Sequence, residues 1–151
     1  MSKYSFTGET KSHQGVLLKQ IRRDSDGLVG GFIESEANLS QEGTCFLYDK
    51  SVCYGAARII EDAQVYGDVH DNATVSGTAT VQGQVFGNAT VSGSAVIQGR
   101  AYEEAKVSGD AQILGEALGH AVVDGHAKVL GRVFGTAHVS GHEIVMGEKS
   151  S

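Results

Sequence analysis

From Gly67 to Gly147 the chain repeats with a period of sixteen, and each repeat divides into runs of six, six and four. The units are GDVHDNATVSGTATVQ, GQVFGNATVSGSAVIQ, GRAYEEAKVSGDAQIL, GEALGHAVVDGHAKVL and GRVFGTAHVSGHEIVM. This spacing calls for glycine at sixteen positions and fourteen have it; Asp71 and Glu103 depart. Self-similarity at so short a period specifies a solenoid, because a unit this small can bury its apolar face only against its neighbours.

Within each run of six the third residue is small and the fifth is branched, as in Ala73/Val75, Ala95/Ile97 and Ala127/Val129. Alternation of period two places both on one face of a short strand. The expected fold is therefore all-β, a left-handed parallel β-helix (a β-solenoid) with 16–18-residue coils. Ala fills the crowded corners, Val and Ile fill the interior, and glycine gives the corner its backbone freedom. Each run of four adds one inward residue: Val69, Val85, Ala101, Ala117 and Val133. Five such coils, at about 4.8 Å per layer, make a prism roughly 24 Å tall.

Residues 43–66 parse as four full runs of six, GTCFLY, DKSVCY, GAARII and EDAQVY. The first coil is then a triangle of three full runs, and one side shortens from Gly67 onward. Residues 1–42 lack the pattern. They read as a capping segment built on a small hairpin, which covers the exposed strand edges of the first coil. The β-helix is expected over 43–147, with 148–151 as a tail. Glu143 falls on an inward Ala position in the last coil, and a charge pointing inward at an exposed edge opposes edge-to-edge polymerisation.

A net charge of -6 argues against nucleic acid or an anionic membrane as the partner. No apolar run approaches the ~20 residues of a membrane span, and the N-terminus has no signal-peptide core. A cytoplasmic location is the expectation. Cys45 and Cys53 fall on inward positions and read as reduced core thiols.

Residues one period apart stack into columns. The last position of the run of four reads His70, Phe86, Tyr102, Leu118, Phe134, and the position just before each such run reads Gln82, Gln98, Leu114, Leu130, Met146. Phe86, Tyr102, Leu114, Leu118, Leu130, Phe134 and Met146 thus lie on or beside the shortened side. An outward apolar stripe marks an interaction surface. Self-association is expected there, as a homotrimer first and a homodimer second. Another column reads Thr78, Ser94, Asp110, His126, His142, which makes Asp110, His126 and His142 candidates for holding a ligand. His120, His126 and His138 are the candidates for a general base, should the chain be an enzyme. No metal site and no cofactor are expected.

The repeats GNATVSGSAVIQG and GAARIIEDAQVYG resemble the hexapeptide-repeat proteins of the left-handed β-helix class, trimeric acyltransferases among them, over residues 43–147. The stretches KYSFTGETK, VLLKQIRR and GGFIESEANLSQEGTCFLYD are similar to the N-terminal segment of a narrower group from bacteria, phages and prophages. The resemblance implies the fold and, for some members, acyl transfer. Such transferases have loops leaving the coils and a histidine beside a subunit boundary, whereas the count here is uninterrupted and Arg100, Lys106, Lys128 and Arg132 scatter over different columns. The favoured expectation is a non-enzymatic oligomeric binding or scaffold module, which could take a protein partner. The alternatives are a phage-encoded oligomer that sequesters a small molecule or nucleotide, and an acyltransferase with a histidine base.

Overall fold

Each coil lays its strands against those of the next, so the repeat becomes a three-sided prism about seven turns tall. The computed structural model describes residues 2–151. All three sides are parallel ladders. The second side runs from Arg58–Ile59 to His138–Val139 in six strands, and the third from Phe46–Leu47 to Ile144–Val145 in seven. The shortened side stacks Val52–Cys53, Asp68–Val69, Gln84–Val85, Arg100–Ala101, Glu116–Ala117, Arg132–Val133 and Glu148–Lys149. Register is set by burial: partners sit one period apart, as in Val85 beside Ala101, so each inward side chain rests on another. The paired Ala and Val or Ile positions are fully buried from Ala57 to Val139, apart from Val107 at 1%.

Three strands lie within residues 1–42. The strands β1 (Tyr4–His13) and β2 (Val16–Arg23) form an antiparallel hairpin. Gln14 and Gly15 close it with φ of 52° and 79°, the two positive values that a two-residue type I′ turn needs. β2 then pairs antiparallel with β3 (Val29–Ile33), and β3 pairs parallel with Val52–Cys53. The hairpin thereby extends the shortened side and occupies its upper edge, so that unpaired N–H and C=O groups are not left there.

The parallel ladder begins earlier and ends later than the repeat pattern delimits. β3 and Leu39, which bridges to Ile59, already belong to a first rung inside the 1–42 segment. That rung is the longest: Ile33 pairs with Cys53 and Leu39 with Ile59, and its extra residues lie between Leu39 and Cys53, since Ile33 to Leu39 spans as many positions as Cys53 to Ile59 below it. The next step, from Leu47 to Val65, is two positions shorter, and the step from Cys53 to Val69 has already reached the period of the later repeats. At the other end, Glu148–Lys149 pair with Arg132–Val133 as one more rung, where the sequence suggests a tail.

Asn38 fastens the first rung. Fully buried, it accepts the N–H groups of Glu34 and Ser35 at 3.1 and 2.9 Å, and it donates to the carbonyls of Gly55 and Ala57 at 3.1 and 2.8 Å. A buried amide is tolerated because each of its groups has a partner. Cys45 and Cys53 are free and buried, and burial pushes the Cys53 thiol well up. No described helix is long and apolar enough to cross a membrane.

The repeated glycines do two different things. Gly93, at a full corner, has φ of 62°, the left-handed region that glycine enters freely. Gly99, where the third side turns tightly into the shortened side, has no such φ. There a Cβ would strike the carbonyl oxygen of Gly115 in the next rung, so close backbone approach excludes a side chain.

Candidate functional site

The shortened side carries three outward columns, and the two flanking ones are apolar. At the corner entering it, Leu114, Leu130 and Met146 are 45%, 44% and 76% exposed. The same column begins with Tyr66 stacked on Tyr48, centroids 4.8 Å apart. At the corner leaving it, Tyr54, His70, Phe86 and Tyr102 form a ladder of parallel rings 5.0, 5.0 and 4.9 Å apart. Leu118 and Phe134 continue that column; Leu118 is buried and the rings are half-buried. Stacking within the ladder thus covers much of Phe86 and Tyr102, and the open apolar surface lies mainly on Leu114, Leu130 and Met146.

Between these flanks runs a charged ladder that composition alone conceals: Asp68, Gln84, Arg100, Glu116, Arg132, Glu148. Arg100 contacts Glu116 at 2.5 Å, while Arg132 lies 3.7 Å from Glu116 and 3.8 Å from Glu148. Arg100 and Arg132 also lie beside Tyr102 and Phe134, with the guanidinium 5.8 and 5.3 Å from the ring centroids. The seven stripe residues are therefore split into two apolar flanks around a line of charge. The signal for this ladder is present in the sequence as charge of alternating sign, repeated once per period.

The three candidate bases occupy separate columns, and His142 shares that of His126. His126 Nδ1 is 3.4 Å from Asp110, and its ring stacks on His142 at 5.0 Å. His120 Nδ1 is 3.2 Å from Glu104, and His138 Nε2 is 3.0 Å from Asp124. Each candidate base thus has a carboxylate from the preceding rung, the arrangement that orients an imidazole. All three side chains are more than half exposed. His120 lines an open groove of about 500 Å³ with Asn88, Glu104, Lys106 and Val122. Among the described residues no three His, Cys, Asp or Glu side chains converge to hold a metal.

The two departures from glycine also have a structural reason. Asp71 and Glu103 take φ of 63° and 58°, and their carboxylates accept the N–H of Gly87 and Gly119 in the next rung at 3.1 and 2.7 Å. Glu61 does the same for Gly77 at 3.1 Å. Each acid exchanges glycine's conformational freedom for an inter-rung hydrogen bond.

No protein-family model matches the chain. An alignment 66 residues long, which covers 39% of the chain, is 36% identical to a protein of Escherichia coli (strain K12) named "Uncharacterized acetyltransferase YdcK". The match covers 20% of that protein, so the chain spans about a fifth of the length of the curated relative it matches. The chain thus shares part of its sequence with a protein that carries an acetyltransferase name.

Proposed function

We propose that this protein is a non-enzymatic β-solenoid that self-associates through its shortened side and serves as a rigid binding or scaffold module. One observation carries the reading: Leu114, Leu130 and Met146 form a continuous exposed apolar column on a prism whose coils keep a constant length from Cys53 onward. Solvent exposure of aligned large apolar side chains is unfavourable by about 25 cal/mol per Å², and association removes it. The test is light scattering on the full chain and on a Leu130→Glu, Met146→Glu variant. Association that the double variant abolishes, with unchanged circular dichroism, supports the reading. Equal association of both proteins contradicts it.

A second reading, acyl transfer with His120 as general base, is favoured by one specific arrangement. His120 is paired with Glu104 and faces the groove that also holds Lys106 and Asn88, and the named likeness to an acetyltransferase agrees with it. Incubation with acetyl-coenzyme A tests it: a raised melting temperature in the native protein that His120→Ala lowers supports a site, and no shift counts against one.

A further inference from the structure

The alternating charges on the shortened side constrain how two copies can meet there. We infer that two copies pack through their shortened sides about a two-fold axis parallel to the strands, with the solenoids pointing in opposite directions. This arrangement rests on the self-association proposed above and specifies its geometry and stoichiometry.

Two kinds of two-fold axis bring this side against itself. An axis along the solenoid sets every rung against the same rung of the partner. Arg100 would then face the partner's Arg100, Glu116 the partner's Glu116 and Arg132 the partner's Arg132. Like charges in direct opposition across an interface are unfavourable. An axis parallel to the strands reverses the order of rungs instead. Placed midway between the rungs of Glu116 and Arg132, it sets Glu116 against the partner's Arg132 and Arg100 against the partner's Glu148. Every overlapping rung then pairs opposite signs.

The same axis brings the apolar flanks together. Leu114 falls opposite the partner's Leu130, and Leu118 opposite the partner's Phe134. Other registers lose this match. Moving the axis by one rung toward the N-terminus opposes Asp68 to the partner's Glu148 and leaves Gln84 against the partner's Arg132. Placing it on the rung of Glu116 opposes Glu116 to itself. Within the chain Arg132 makes only long contacts, 3.7 and 3.8 Å, so its guanidinium keeps donors free for a second carboxylate.

The overlap is short. Four rungs at about 4.8 Å give a strip roughly 19 Å tall, which places the dimer in the small, concentration-dependent class. Much of its selectivity is electrostatic, so it weakens as salt rises.

Charge reversal tests the arrangement. Sedimentation velocity of the full chain over a micromolar concentration series is compared for the native sequence, Glu116→Arg, Arg132→Glu and the double variant. The native protein is expected to form dimers. Either single reversal raises the dissociation constant about tenfold or more by opposing like charges. The double variant restores opposite signs across the axis and recovers association. All three variants place like-signed neighbours within the chain's own ladder, so the double variant also controls for monomer stability. A native trimer, single variants that associate normally, or a double variant that fails to recover would overturn the arrangement alone. A native protein that stays monomeric throughout would overturn the self-association reading with it.

Discussion

The Glu143 carboxylate and the Lys149 ammonium meet 2.7 Å apart at the open end of the prism. Both stand where earlier rungs bury apolar residues, Ala127 and Val133. Lys149 also donates to the His138 carbonyl at 3.2 Å. The last rung thus places an ion pair over the core, where a further coil would otherwise find an apolar surface to stack on.

Replacing that pair should expose the end without unfolding the coils. A Glu143→Ala, Lys149→Val variant restores the inward pattern and is expected to melt within a few degrees of the native protein. It should also form larger species as concentration rises, because an unprotected edge recruits other chains. Size-exclusion chromatography reads the outcome. An unchanged elution volume at high concentration would show that the ion pair does not guard the edge.

Two glycine substitutions separate the two uses of glycine. At Gly99 an added Cβ strikes the next rung's backbone, so Gly99→Ala should lose about 3 kcal/mol. At Gly141, with φ of 62° and open space beside it, Gly141→Ala should lose only about 1 kcal/mol from the left-handed conformation. Urea unfolding compares them. Equal losses would contradict the distinction.

Asn38 should be among the costliest polar positions to change. Asn38→Ala leaves buried N–H and C=O groups without their side-chain partner, and is expected to cost about 3 kcal/mol. Asn38→Asp keeps the acceptor for Glu34 and Ser35 but turns a carboxylate on the carbonyls of Gly55 and Ala57. Its melting temperature should therefore rise as acid protonates the new carboxyl group, opposite to the native trend. A loss below about 1 kcal/mol for Asn38→Ala would sink the assignment.

Asp71 gives the fold part of its acid sensitivity. Burial pushes its carboxyl group up, but the contact with His70 and the Gly87 N–H outweigh this and hold it below the usual carboxylate range. A lowered folded value means the stabilisation is present above about pH 4 and is lost as pH falls through the folded value. Asp71→Asn, which tolerates the same positive φ, should flatten part of the acid limb in a melting series from neutral pH into strong acid. An acid limb identical to the native one would contradict the role.

The prism itself was legible because its rules are local. Ala and Val or Ile alternate inward, and glycine marks the corners. What escaped the pattern has physical reasons of its own. β3 joins the first rung through Gly30 and Gly31, where a Cβ would meet the Leu47 and Ser51 carbonyls, and the longer run from Leu39 to Leu47 breaks the regular count. Lys149 reads as tail because a charged side chain fits an inward position only where no further rung covers it. The apolar stripe was visible in sequence, but its division by Arg100, Glu116 and Arg132 depends on which column faces outward between the flanks. The columns of the histidines were legible too, yet only the fold brings Asp124, from another column, beside His138.

The shortened side is proposed to join copies of this chain. Sedimentation equilibrium of the full protein across a hundredfold concentration range at low salt measures it most directly. Self-association through this side gives an average mass that rises reversibly above the 15.8 kDa of one chain. A mass that stays at 15.8 kDa at every concentration would contradict it.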